Sequence, residues 1–341
     1  MSEAAPEEVD LARRAGEAPA GSGAPAEVTL GRGAAPRTSI VVPAFDEAAN
    51  MPDLFSELAA TIRDHGLDAE IVLVDDGSTD GTYEAASAAA ASAGLDPHHV
   101  TLLRHARNLG KTEALETAAR HARGEYLVLF DADLQHATDE IPRFVSRLDE
   151  GYDLVAGRKV GDYDKKLVSG VYNRLSQAVF RVPARDLNSM KAFRRGVLHR
   201  IRLRHDWHRY LTVLAHHEGA RIGELDIELH PRRHGEPKYG SRGRIVVGTL
   251  DMLSVWFQTV FGRKPMLFFG VTGLGLIGLG GLVGLVALYL RFVLERGYRP
   301  LLTLVLLLVV VGVLLFILGF LAEMIASLRD EVESLKRERR D

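Results

Sequence analysis

The chain contains no cysteine, which excludes disulfides, thiolate nucleophiles and thiolate metal sites while leaving the redox environment open. It has no dominant charge either: 42 Lys and Arg stand against 45 Asp and Glu, for a net charge of -3. That balance leaves no electrostatic footprint for nucleic acid, and no nucleic-acid partner is expected. No internal repeat is evident. The 13 histidines, His98-His99 and His216-His217 among them, lack metal-ligand spacing and read as surface or core residues. Residues 1–37, rich in Ala, Gly, Pro and Glu, have no apolar periodicity and no apolar core of the kind a secretory signal needs. They are expected to form a disordered tail.

What is present, over 341 residues, is enough for one or two domains with a substantial core. From Thr38 onward, short apolar runs alternate with helical stretches, the pattern of successive βαβ units. Strands are expected at Ser39 to Val42, Glu70 to Val74, Val100 to Arg104, Tyr126 to Phe130 and Asp153 to Ala156, with helices over Pro52 to Asp64 and Asp139 to Glu150. Each strand runs into a polar loop, which describes a nucleotide-binding α/β domain.

The chemistry concentrates in Phe130-Asp131-Ala132-Asp133-Leu134-Gln135-His136. A buried parallel strand would deliver two carboxylates to the carboxyl end of the sheet, where such sheets bind ligands. Carboxylates and a neighbouring amide are hard oxygen donors suited to Mg²⁺ or Mn²⁺, whose shell water and substrate phosphates complete. An Asp pair after a strand can also simply cap the next turn. In Asp75-Asp76-Gly77-Ser78-Thr79-Asp80, either Asp75 or Asp76 could accept a base N–H or a ribose hydroxyl, and the alternative is a plain turn capped by Ser78 or Asp80. Asn108 to Lys111 could touch a diphosphate or only start a helix.

Downstream the chain is basic, with Arg158-Lys159, Lys165, Lys166, Arg174, Arg181, Arg185, Arg194-Arg195, His208-Arg209 and the segment His230 to Gly240. Positive side chains beside a carboxylate-metal site would serve a phosphate-bearing substrate; next to a membrane they can instead anchor on anionic lipid. Residues 266–290 and 301–322 are uncharged and each exceeds the roughly 20 residues needed to cross a bilayer. Two spans return the chain to one side. Basic residues on both flanks favour a cytoplasmic placement of the catalytic region and both termini, against the pull of Arg291, Arg296 and Arg299 in the linker. Gly280 and Gly284 have the spacing for close helix contact, between the two spans or between protomers of a homo-oligomer. Residues 244–265, with Trp256 and Phe257, are expected to lie at the membrane interface, and residues 323–341 form a charged, helical cytoplasmic extension.

Taken in order, Pro43-Ala44-Phe45-Asp46-Glu47, Val74-Asp75-Asp76-Gly77-Ser78, Asn108-Leu109-Gly110-Lys111, Asp131 to His136 and Arg232 to Tyr239 resemble family 2 glycosyltransferases of the polyprenyl-phosphate, dolichyl-phosphate mannose synthase-like branch. The resemblance implies a GT-A, Rossmann-like α/β domain over residues 38–243, followed by the two-helix transmembrane anchor. It implies transfer of a hexose, with inversion, from a UDP- or GDP-sugar to a membrane polyprenyl phosphate. It further implies that Pro43, Phe45, Glu47, Val74 and Asp76 surround the nucleoside and that Asp131, Ala132 and Asp133 meet the ribose and diphosphate. Asp133 and Gln135 would hold Mg²⁺ or Mn²⁺, and Arg158, Arg232 and Lys238 would contact phosphate groups. Lys165 and Ser169 fall where the acceptor phosphate would sit. The chain departs from the pattern at Phe45, Asp46 and Pro237, and at Asp186 to Ala192, where a Gly is often found; these bear on the sugar and the acceptor loop. A processive polysaccharide synthase of the same fold is disfavoured, because Gln-x-x-Arg-Trp is absent and two spans are few for a channel. A non-catalytic membrane scaffold is disfavoured by the intact Asp131, Asp133 and Gln135.

Overall fold

Buried β-branched and aliphatic residues at Ile40, Val41, Val42, Ile71, Val72 and Leu73 give strands covered on both faces, the mark of a sheet with helices on either side. The computed structural model describes residues 26–29, 35–160, 176–177, 179–180, 182–201, 203–234, 242–262 and 264–338. The chain divides into two units, Met1–Gly240 and Ser241–Asp341.

In the first unit the strands are β1 (Ala26–Thr29), β2 (Thr38–Ala44), β3 (Ala69–Asp75), β4 (Val100–Arg104), β5 (Tyr126–Leu129), β6 (Leu154–Val160), β7 (Lys191–Arg194) and β8 (Ile222–Glu228). The helices are α1 (Met51–Asp64), α2 (Thr82–Ser92), α3 (Lys111–His121), α4 (Glu140–Asp149), α5 (Arg195–Arg200) and α6 (Leu211–His217). The eight strands form one sheet in the order β1-β4-β3-β2-β5-β7-β6-β8. Strands β4, β3, β2 and β5 are mutually parallel, so the loops leaving their carboxyl ends lie side by side. Strand β7 runs antiparallel between β5 and β6.

The expected strands are all present, with ends shifted by a few residues. Three strands were not foreseen. Ala26–Thr29, inside the stretch expected to be a tail, pairs antiparallel with β4. Strands β7 and β8 depend on long-range pairing with β5 and β6, which no local pattern specifies.

The second unit comprises α7 (Arg242–Phe261), α8 (Pro265–Phe292) and α9 (Arg299–Glu338). The stretches Pro265–Phe292 and Arg299–Arg329 are long and apolar enough to cross a membrane, and within an apolar 18-residue segment of each only 11% and 6% is buried. Apolar residues that stay exposed on a long helix are what a lipid environment calls for. A β-carbon on Gly273 would lie 2.6 Å from the carbonyl oxygen of Gly312, so the two helices cross in backbone contact there. Gly280 faces Val309 and Leu308, and Gly284 faces Val305. The small-residue spacing is thus used within the helix pair. Phe257 and Phe261 of α7 pack on Phe268 of α8 with ring centroids 5.6 and 4.7 Å apart, while Leu250, Leu253 and Val260 remain exposed.

Candidate active site

The loops after β2 and β3 are stitched together by their own polar groups. The Ser78 hydroxyl accepts from the Asp46 amide at 2.8 Å, Thr82 Oγ1 from the Glu47 amide at 2.8 Å, and Asp46 Oδ1 from the Thr79 amide at 2.9 Å. Asp80 accepts from the amides of Ala48 and Thr82, each at 3.0 Å. Burial works against ionisation of Asp80, but these donors and the Thr82 hydroxyl hold its pKa below the ordinary value. The hydroxyl and carboxylate side chains of this motif therefore build a rigid rim.

Asp76, expected beside the nucleoside, is engaged by protein groups. Its carboxylate, 3% exposed, accepts from the amides of Leu109 and Gly110 at 2.9 and 2.7 Å and lies 2.7 Å from His105 Nδ1. Its oxygens are engaged in holding the Asn108–Lys111 loop beside the β3 loop. Val74 is fully buried, backbone and side chain alike, within the β3 ladder between β2 and β4. Pro43, Phe45 and Glu47 lie partly exposed along the rim, with Asn50 Nδ2 donating to Glu47 Oε2 at 2.5 Å.

The central loop follows β5. Lys111, at the start of α3, forms an ion pair with Asp131 Oδ1. Asp131 sits among protein groups yet keeps 39% of its side chain accessible. Burial opposes its ionisation, but the Lys111 ammonium prevails and holds its pKa well below the usual carboxylate range. Asp133 is pushed the other way, to about 6, by burial and then by the charge of Asp131. Leu134 between the two candidate metal ligands has φ of +52°, a left-handed conformation that a branched apolar residue adopts at a cost of about 1–3 kcal/mol. Ala132 is buried.

Asp133 and Gln135 converge on one positive group. Arg232 Nη2 lies 2.9 Å from Asp133 Oδ2, and Arg232 Nε lies 3.4 Å from Gln135 Oε1. The guanidinium stands where these two oxygens would meet a divalent cation. Buried His136 completes the loop: burial lowers its pKa to about 4, so it is neutral at pH 7, and its Nδ1 has no hydrogen-bond partner. Among the described residues no group of three or more His, Cys, Asp or Glu side chains converges as a ligand set. Two protein oxygens with the rest from water and phosphate is the arrangement that suits Mg²⁺ or Mn²⁺.

Arg158 does not join this cluster. The parallel register of β6 and β8 sets it opposite Asp226, and its Nε and Nη2 donate to both carboxylate oxygens at 2.5 Å. Successive strand residues point to opposite faces, and the neighbour Lys159 takes the inner place, donating to the Asn188 carbonyl at 2.7 Å. Which of two adjacent cations faces inward depends on register and was not readable beforehand. Lys191, also missed, left a signal in the sequence as a lone charge in Met190-Lys191-Ala192-Phe193. Lys238, Lys165 and Ser169 lie outside the described residues.

A mixed α/β sheet with four parallel central strands and an Asp-x-Asp loop at their carboxyl edge is the architecture of a GT-A type domain. Residues 39–202 match the family model for glycosyl transferase family 2. The chain is 36% identical over 302 residues, covering 84% of it and 87% of the relative, to dodecaprenyl-phosphate galacturonate synthase of Rhizobium johnstonii. It is 31% identical over 310 residues, covering 88% and 90%, to undecaprenyl-phosphate 4-deoxy-4-formamido-L-arabinose transferase of Shewanella sediminis. In fold it is similar to glucosyl-3-phosphoglycerate synthase from Mycobacterium tuberculosis, solved with Mn²⁺, UDP and glucosyl-3-phosphoglycerate, with a TM-score of 0.51, 18% identity and coverage of 66% of this chain and 80% of that one. The chain belongs to glycosyltransferase family 2 and is a glycosyltransferase.

Proposed function

We propose that this protein transfers a hexose from a UDP- or GDP-sugar to a polyprenyl monophosphate, with inversion at the anomeric carbon. The observation that carries the reading is the convergence of Asp133 and Gln135 on the Arg232 guanidinium, beside the Lys111–Asp131 pair. This is a site whose charges are arranged for a diphosphate and its counter-ion. The names of the relatives support a polyprenyl-phosphate acceptor, and the two long apolar helices support a membrane location for it.

In the step itself an oxygen of the acceptor phosphate forms the bond to the anomeric carbon. The bond from that carbon to the donor diphosphate breaks, and its electron pair leaves with the nucleoside diphosphate. A phosphate monoester has a second pKa of about 6, so the nucleophile is already ionised near neutral pH and needs no general base. Asp133 and Gln135 would hold Mg²⁺ or Mn²⁺, which when bound offsets the charge growing on the departing diphosphate. Arg232 and Lys111 present fixed positive charge to the same region, and Lys238 is proposed to add to it. Asp76 positions Lys111 by fixing the loop before it. Pro43, Phe45 and Glu47 are proposed to line the nucleoside, with buried Val74 supporting the strand end behind them. Arg158 would reach a phosphate only by leaving Asp226.

The catalytic unit and both termini are proposed to lie on the cytoplasmic side, as the basic flanks favour. Any association of copies would use the outward faces of the two long helices, and sedimentation in nanodiscs reads it directly. The reaction is tested by offering a panel of UDP- and GDP-sugars with a polyprenyl phosphate, in Mg²⁺, Mn²⁺ or EDTA. Expected is a metal-dependent lipid-phosphate sugar that Asp133→Ala does not form; nucleotide binding without product from any donor would return the scaffold reading.

A further inference from the structure

We infer that Lys191 is a positioning residue for the donor half of the site: its buried ammonium pins residues 187–189 and supplies positive charge from β7, where Lys191 pairs in register with Leu129, two residues before Asp131, so that nucleoside diphosphate binding depends on it. The inference rests on the transferase reading above.

Lys191 is 3% exposed. Its Nζ donates to the carbonyls of Leu187 and Ser189, each at 2.9 Å. Lys159 donates to the carbonyl between them, that of Asn188, at 2.7 Å. Three consecutive carbonyls are thus turned onto two ammonium groups, and the segment is closed by Asp186, whose Oδ1 accepts from the Asn188 amide at 2.9 Å. Among the described residues Lys191 has no carboxylate within ion-pair distance, since Asp186 lies 3.8 Å from Lys159 instead. A buried ammonium whose contacts are carbonyls, with Asp186 and Asp131 acting only from a distance, carries charge that its surroundings offset in part.

The groups that act on it come from every side: Lys111 from α3, Asp131 from the loop after β5, Lys159 from β6, Asp186 from the segment before β7, and His208 from the Trp207–Tyr210 turn. Burial first, then Lys111, lowers the pKa of Lys191 to about 7, against the pull of Asp186 and Asp131. An added diphosphate near Lys111 and Asp131 supplies the missing negative charge. Nucleotide binding therefore favours the ammonium form and weakens as the pH rises past neutrality. The acceptor phosphate, arriving from the membrane, is not expected to feel the same change.

The test measures UDP and GDP binding with Mn²⁺ by calorimetry, using the full chain in nanodiscs at pH 6.5 and pH 9. Wild type, Lys191→Arg and Lys191→Met are compared. Arginine stays charged across the range and shares every other titration, including that of the nucleotide, so its difference from wild type reports residue 191. Expected is a loss of affinity for wild type between the two pH values roughly tenfold greater than for Lys191→Arg, the effect of one unit in a linked pKa. Lys191→Met should bind about tenfold more weakly at pH 6.5 and, in turnover, raise the donor KM but not the acceptor KM. Identical pH profiles for wild type and Lys191→Arg overturn the inference, and that pair decides the matter if Lys191→Met does not fold by circular dichroism. Failure of wild type to bind either nucleotide removes the transferase site itself and the inference with it.

Discussion

Arg232 Nη2 stands 2.9 Å from Asp133 Oδ2, with 31% and 11% of the two side chains exposed. A protein cation thus lies between Asp133 and Gln135, the two residues proposed to hold a divalent ion. The two positive charges compete for the same oxygens. Arg232→Met should therefore tighten Mn²⁺ binding in the absence of nucleotide by about tenfold, or ~1.4 kcal/mol, while turnover falls if, as proposed, Arg232 meets a substrate phosphate. Asp133→Ala should abolish Mn²⁺ binding. Titration followed by electron paramagnetic resonance checks both, and unchanged Mn²⁺ affinity in Asp133→Ala would remove this loop as the metal site.

The β3 and β4 loops meet at Gly77. Its φ is +73°, and a β-carbon there would lie 2.3 Å from the Arg107 carbonyl carbon, a backbone atom that cannot yield. Gly66 has a φ of +58° with nothing within 4 Å. Gly66→Ala should cost only the left-handed penalty of about 1–2 kcal/mol. Gly77→Ala should cost more, because it also drives apart the loops that carry Asp76 and Lys111. Thermal unfolding of the two solubilised variants gives the comparison; equal losses would mean that the close approach contributes nothing.

Two glycines of α8 test the helix pair in the same way. Gly273 meets Gly312 in backbone contact, whereas Gly275 has nothing within 4 Å. Gly273→Leu should separate α8 from α9 and lower the unfolding temperature in detergent. Gly275→Leu should leave it within about 0.5 kcal/mol of wild type. The reverse order would place the helix contact on another face.

A small pH dependence arises at the first turn of α3, where the segment after α5 meets it. His205 Nδ1 lies 2.8 Å from Glu113 Oε1, and this hydrogen bond raises the histidine pKa above its usual 6.5. The sign follows from the raised folded-state value: the stabilisation is complete below the unfolded pKa and is lost as pH rises through the folded one. Glu113→Gln should therefore lower the unfolding temperature relative to wild type more at pH 6 than at pH 8.5. The side chain of His205 is 65% exposed, so the difference should be slight. A gap that widens with pH would contradict the pairing.

The parallel strands and the acidic loop were legible because they obey local rules. Apolar runs of the right length, followed by Asp75-Asp76-Gly77 and Asp131-Ala132-Asp133, identify strand ends from neighbours alone. The two long apolar helices were legible for the same reason, since length and hydropathy are properties of a contiguous stretch. Strands β1, β7 and β8 were not, because their stability comes from partners distant in the chain.

The residue types in and around the site, and their order, are written in the chain: carboxylates at Asp131 and Asp133, an amide at Gln135, cations at Lys111, Lys159, Lys191 and Arg232, with Arg158 beside them. Folding assigned their partners. Register turned Arg158 to Asp226 and Lys159 inward, and loop packing engaged Asp76 with Leu109, Gly110 and His105 rather than leaving it open. A side chain's chemistry belongs to its own residue, but its direction and its neighbours depend on strand alternation and long-range pairing, which arise only when distant segments meet.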